Sequence, residues 1–113
     1  MKEFLLIFRI DYDKVPTDSP EKLQAMAKNR QDWLGSIAAQ DKLSEAGERL
    51  VPTGKIRKPD DVVTDGPYVE LKEAVSGYTV IKAADIEEAT ELVKDCPIFN
   101  AGGSIEIRPI MNG

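Results

Sequence analysis

The segment Phe4-Leu5-Leu6-Ile7-Phe8-Arg9-Ile10 limits what this chain can become more than any other stretch. It is too short to cross a membrane, and no small-residue cleavage site follows it. A strand is the better reading. Successive side chains of a strand point to opposite faces, which puts Phe4, Leu6, Phe8 and Ile10 on one side and Leu5 and Ile7 on the other. A strand apolar on both faces must be covered on both faces. With 113 residues the chain has enough length for one domain, 1–113, with its own core.

Ser19-Pro20-Glu21 is a helix start: serine caps, proline suits the first helical position and the acid favours the positive helix end. Leu23, Met26, Ala27, Trp33, Leu34, Ile37 and Ala38 then share one stripe of a helix that runs to about Gln40 or Asp41. Arg30 falls near the middle of that stripe and needs a carboxylate partner or an exit to water. Lys42 to Ala46 reads as a short strand. Val51-Pro52-Thr53-Gly54 reads as a hairpin turn between Glu48-Arg49-Leu50 and Lys55-Ile56-Arg57. Val62-Val63-Thr64 is a further β segment that ends at a turn, Asp65-Gly66-Pro67-Tyr68. Gly77 to Ala83 is strongly β-prone. Asp85-Ile86-Glu87-Glu88 caps a second helix carrying Ile86, Ala89, Leu92, Val93 and Cys96, which Pro97 ends. Ser104 to Ile110 alternates as a last strand.

The order is strand, helix, strand, strand, helix, strand with an extra β-hairpin. This predicts an α+β, ferredoxin-like split βαβ fold (βαββαβ). Both helices then cover one face of a four-stranded sheet and leave the other bare. Leu5 and Ile7 point to that bare face, and a second copy of the chain is its simplest cover. A homodimer with its sheets face to face, a dimeric α+β barrel, is the expected assembly.

Composition removes many chemistries. The chain has no histidine and one cysteine, so it holds no Ser-His-Asp triad, no Cys-His pair, no histidine-ligated metal and no internal disulfide. Acid–base work is left to Asp, Glu, Lys, Tyr or Cys. Cys96 sits at the C-terminal end of the expected second helix, where the dipole disfavours a thiolate. Asp11, Asp13, Asp60 and Asp61 lack the spacing of a calcium loop, so no metal and no cofactor is expected. A net charge of −5 argues against a nucleic-acid binder, and the Lys55, Arg57, Lys58 group beside Asp60 and Asp61 reads as a solvated hairpin. The single cysteine fits a cytoplasmic protein with no membrane attachment.

Glu106 and Arg108 share one face of the last strand, and Arg9 and Asp11 share a face of the first. The first and last strands are neighbours in a ferredoxin-like sheet, so a cluster of Arg9, Asp11, Glu106 and Arg108 is expected. Such a group either receives a carboxylate-bearing ligand or fixes register as an ion-pair network, and the structural role is preferred. Trp33 and Tyr78 are read as core or interface fillers before aromatic platforms.

Three segments carry a resemblance: Val63-Thr64-Asp65-Gly66-Pro67-Tyr68-Val69-Glu70-Leu71-Lys72-Glu73, then Gly77-Tyr78, then Ile105-Glu106-Ile107-Arg108-Pro109. Together they resemble the YCII-related (YciI-like) proteins of the bacterial subgroup named for an Asp-Gly-Pro-Phe motif, with Tyr68 in place of the phenylalanine. The resemblance implies a dimeric α+β barrel and no settled activity. The His-Asp pair proposed as catalytic in YciI-like relatives cannot be carried over, since histidine is absent. Asp65 is read first as the head of an Asx-type turn and otherwise as a group beside Tyr68 at a cleft. Lys72 and Glu73 are read as a solvated pair, or with one of them pointing into a sheet-face cavity.

The first expectation for function is a dimeric small-molecule-binding protein, or weak enzyme, with a cleft on the sheet face. The candidate cleft residues are Arg9, Asp65, Tyr68, Lys72, Glu73, Glu106 and Arg108. The second is a regulatory protein that associates with an extracytoplasmic-function sigma factor, as the resemblance suggests. The third, an enzyme of the lactone-isomerase or monooxygenase kind, rests on fold analogy.

Overall fold

A computed structural model describes residues 1–15, 19–66 and 73–111 of the chain. The first strand, β1 (Lys2–Ile10), is followed by a helix, α1 (Pro20–Ala39), and a short strand, β2 (Leu43–Glu45). Two strands, β3 (Gly54–Lys58) and β4 (Val62–Gly66), pair with each other alone. Then come β5 (Ala74–Ala83), α2 (Ile86–Leu92) and β6 (Ser104–Pro109). The four-stranded sheet has the order β2-β5-β1-β6 with every neighbouring pair antiparallel, which is the ferredoxin-like arrangement with β3–β4 as the added hairpin.

Register assigns the faces. Phe4, Leu6, Phe8 and Ile10 are all buried beneath the helices, opposite Ile81, Thr79, Gly77 and Ala74 of β5. Leu5 and Ile7 face the other way and are half-buried, beside Val80 and Tyr78 of β5 and Arg108 and Glu106 of β6. The core joins Phe4, Leu6, Phe8 and Ile81 of the sheet to Trp33, Leu34 and Ile37 of α1 and to Ala89 and Val93 at α2. Trp33 meets Phe8 edge-on, with ring centroids 6.1 Å apart and planes at 81°. Both helix starts are capped: Ser19 accepts from the Lys22 amide, and Asp85 accepts from the Glu88 amide.

The burial of α1 is uneven. Trp33, Leu34 and Ile37 in its second half are buried, whereas Leu23, Met26, Ala27 and Arg30 in its first half are only half-buried. The first half does not close down on the sheet, and a cavity results. A bulge in β5 lies at the same end: Phe8 pairs with Gly77 and Arg9 with Val75, so Ser76 is extra and its hydroxyl donates to the Phe8 carbonyl at 3.3 Å.

Three elements differ from the sequence expectation. The hairpin turn falls at Pro59-Asp60-Asp61, not at Val51–Gly54, and Asp60 and Asp61 take positive φ of 66° and 60°. Glu48–Leu50 runs along β5 instead: the Leu50 amide donates to the Ser76 carbonyl at 2.8 Å, and the Tyr78 amide to the Glu48 carbonyl at 3.2 Å. That approach requires Gly47, whose φ is +70° and whose missing Cβ would stand 1.8 Å from the Tyr78 carbonyl oxygen. The second helix stops at Leu92, and Cys96 takes the extended backbone favoured ahead of a proline before a short 3-10 helix, Pro97–Ala101.

Two substitutions check this packing by urea denaturation. Trp33→Ala should cost about 3–5 kcal/mol, and a loss well under 1 kcal/mol would mean that the ring is not a core element. Gly47→Ala should lower stability by more than about 1 kcal/mol, through a strained φ and a clash with β5.

Candidate functional site

Two features of the fold gather chemistry-bearing side chains, one on each side of the sheet. On the outer face, Arg9 of β1 donates to Glu106 of β6 at 3.2 Å, and Arg108 reaches the other Glu106 oxygen at 3.2 Å. Hydrogen bonds from Arg108 first and Arg9 second hold the Glu106 carboxyl below its ordinary range. Ser104, one residue pair along β6, donates to Glu73 at 3.0 Å. Arg9, Glu73, Glu106 and Arg108 therefore converge, bordering the apolar patch of Leu5, Ile7, Tyr78 and Val80.

Other candidates go elsewhere. Asp11 lies beyond the end of β1 and accepts from the Asp13 amide at 3.0 Å, so it caps the short 3-10 helix Tyr12–Lys14 rather than joining the cluster. Asp65 is a strand residue. It lies within β4 opposite Lys55, whose ammonium stands 2.6 Å from a carboxylate that is 88% exposed. β4 runs through Gly66, two residues past the expected end at Thr64, and the rest of the expected turn lies outside the described residues. Tyr68 and Lys72 lie outside the described residues.

On the helix-covered side, a cavity of about 490 Å³ opens between the first half of α1, the end of β1 and the 3-10 helix Pro97–Ala101. Phe8, Met26, Trp33 and Ile98 give it apolar walls, and Cys96 and Ser76 also line it. The position differs from the expected outer-face cleft, and none of Arg9, Glu73, Glu106 and Arg108 lines it. The cause is the half-raised stripe of α1, together with the bulge that draws Ser76 out of register.

The basic groups at this cavity were only partly readable in the sequence. Arg30 stood out as a charge within an apolar stripe. It has no carboxylate within ion-pair distance among the described residues, and it donates to the exposed Ala46 carbonyl at 3.2 Å, which Thr79 also reaches with its hydroxyl at 2.9 Å. Burial lowers the Arg30 pKa most, and the neighbouring charge of Arg49 lowers it further, against the weaker pull of Glu48 and Cys96. Arg49 carried no local signal, because its place follows from the run of Glu48–Leu50 beside the β5 bulge. Tyr12 donates to the Leu50 carbonyl at 2.8 Å and ties the two loops together.

Two proton-bearing groups of the cavity keep their protons near neutrality. Burial raises the Tyr12 hydroxyl, with Arg49 acting in the opposite direction. Burial also pushes the Cys96 thiol from 9.0 up to about 11, against a hydrogen bond from Ile98 and the charge of Arg30. Desolvation, and not a helix dipole, keeps this thiol neutral. No cluster of three or more His, Cys, Asp or Glu side chains placed to hold a metal occurs among the described residues.

The thiol makes a testable contribution to stability. Its folded value is raised, so the stabilisation is complete below the unfolded value and is lost as pH rises through the folded one. The stability of the wild type minus that of Cys96→Ala should therefore decline from pH about 9 to 11, by about 1–2 kcal/mol. A difference that stays level across that window in chemical denaturation would contradict the assignment.

Comparison with known proteins agrees with this architecture. The chain is 37% identical to an uncharacterized protein of Rhizobium meliloti over 84 residues, which cover 65% of this chain and 68% of that protein. Its fold resembles that of 5-chloro-2-hydroxyhydroquinone dehydrochlorinase from Burkholderia phenoliruptrix, solved in complex with 2,5-dihydroxybenzoquinone. The TM-score is 0.50 at 20% identity, over 97% of this chain and 95% of that one. The model of the YCII-related domain matches residues 4–112, nearly the whole sequence, and the chain belongs to the YCII-related domain family.

Proposed function

We propose that this protein is a homodimeric small-molecule-binding protein, a binder or a slow enzyme, whose ligand occupies the cavity beneath α1. The observation that carries this reading is the cavity itself: about 490 Å³, with mostly apolar walls and a few polar groups at one end. Ligand sites commonly have that size and composition. The named ligand of the structural neighbour, a small ring compound, is compatible with such a volume. Any catalysis would rely on fixed positive charge and on acid–base groups other than histidine, which the chain lacks.

The dimer reading rests on the outer face of the sheet. Leu5, Ile7, Tyr78 and Val80 form an apolar centre there, and the Arg9, Glu106, Arg108 network lies at its border. A face of that kind suits a second copy related by a two-fold axis. Association with a sigma factor draws its support from the family resemblance alone. Cytoplasmic residence is part of the same proposal; no helix among the described residues is long and apolar enough to cross a membrane.

Native mass spectrometry of gently purified protein tests both parts. The expected result is twice the chain mass, with additional small-molecule mass in a fraction of the ions. Ile7→Glu places a charge at the centre of the outer face and should give a monomer with unchanged far-ultraviolet circular dichroism. A dimer that survives this substitution would place the interface elsewhere.

A further inference from the structure

The walls and rim of the cavity carry an uneven distribution of charge. The chain has 20 acidic and 15 basic residues, yet the described residues that line the cavity include Lys14, Lys22, Arg30 and Arg49 and not one Asp or Glu. Elsewhere cations are commonly matched: Arg9 and Arg108 with Glu106, Lys42 with Glu88 at 3.1 Å, Lys28 with Asp32 at 3.0 Å. None of the four at the cavity forms an ion pair among the described residues. Arg30 and Arg49 are near enough for each charge to be felt by the other, and Glu48, whose charge acts on Arg30 in the opposite sense, forms no ion pair with either among the described residues.

Concentrating like charges at the edge of an apolar cavity is unfavourable unless something negative joins them. Arg30 is also held in position. One guanidinium nitrogen is fixed on the Ala46 carbonyl, which Thr79 holds in turn, and this leaves further N–H donors for another oxygen. A guanidinium held in this way is suited to carboxylate-like oxygens, because its donors match them in pairs. Phe8, Met26 and Trp33 stand below it as a surface for an apolar body.

Building on the ligand-cavity reading above, we propose that the ligand class is a small organic anion. Its carboxylate, or an acidic hydroxyl in ionised form, is met by Arg30 and Arg49 at the cavity mouth, and its ring-sized apolar part packs on Phe8, Met26 and Trp33. Lys14 and Lys22 add a longer-range field that draws the anion in without fixing its orientation.

Trp33 is the single tryptophan of the chain, so its indole N–H resonance reports on this cavity alone. The probes are 2-naphthoate and its neutral counterpart 2-naphthamide, titrated to millimolar concentration against the 15N-labelled protein. Naphthoate should move the indole signal saturably, with an affinity about tenfold or more above that of naphthamide. Arg49→Gln, a change at an exposed position, should remove most of that advantage by weakening naphthoate binding far more than naphthamide binding. Arg30→Gln should act in the same direction, with the wild-type spectrum elsewhere showing that the fold is kept. Equal affinity for the two probes, or an unchanged preference in both variants, overturns the anion assignment and leaves the cavity as a binding site. No saturable shift with either probe overturns the assignment and the cavity reading together.

Discussion

The architecture depends on β1 being apolar on both faces and held between β5 and β6. Because side chains alternate, the register that buries Phe4, Leu6, Phe8 and Ile10 under the helices also presents Leu5 and Ile7 on the outer face. A slip of one residue would exchange the two sets and place Arg9 in the core. The strand is therefore locked by the core on one side, and its other side sets the requirement for a covering surface. The outer charge network follows from the same register, since Ile7 stands opposite Glu106 and Leu5 opposite Arg108.

The cavity is a consequence of how α1 meets this strand. Trp33, Leu34 and Ile37 anchor the second half of the helix, and Trp33 makes edge contact with Phe8. The first half, with the Arg30 guanidinium inserted among apolar neighbours, cannot approach the sheet as closely. Arg30 extends to the Ala46 carbonyl instead and props the space open. The bulge at Ser76 and the left-handed turn at Gly47 bring Glu48–Leu50 to the same end, and Arg49 arrives with it. One half-buried cation and one bulge thus lie where the core gives way to a lined recess.

Much of the fold could be read directly from residue patterns. The Ser19-Pro20 start, the Asp85 cap and the alternation in β6 are local signals, and each matches the element that forms. Pro52 and Gly54 look like turn residues, yet Asp60 and Asp61, which also tolerate positive φ, make the turn of the hairpin. With the turn at 59–61, Asp65 falls opposite Lys55 and becomes a surface partner. An apolar spacing that reaches Cys96 persists through a break in the helix, since Val93 and Cys96 are buried whether or not the backbone between them is helical.

Residue patterns are enough to set the ferredoxin-like order of elements, the two-faced first strand and the nearness of Arg9 to Glu106 and Arg108, and composition is enough to exclude histidine chemistry. These follow from period, capping and composition, which act over a few residues or over the whole chain at once. The place of the recess and the charges around it depend on contacts between distant segments. Lys14, Arg30 and Arg49 are separated along the chain, on a turn, a helix and a loop, and no local pattern links them. They meet because the crossover from β1 through α1 to β2 returns the chain to the same end of the sheet, where the β5 bulge and the Gly47 turn set the final approach.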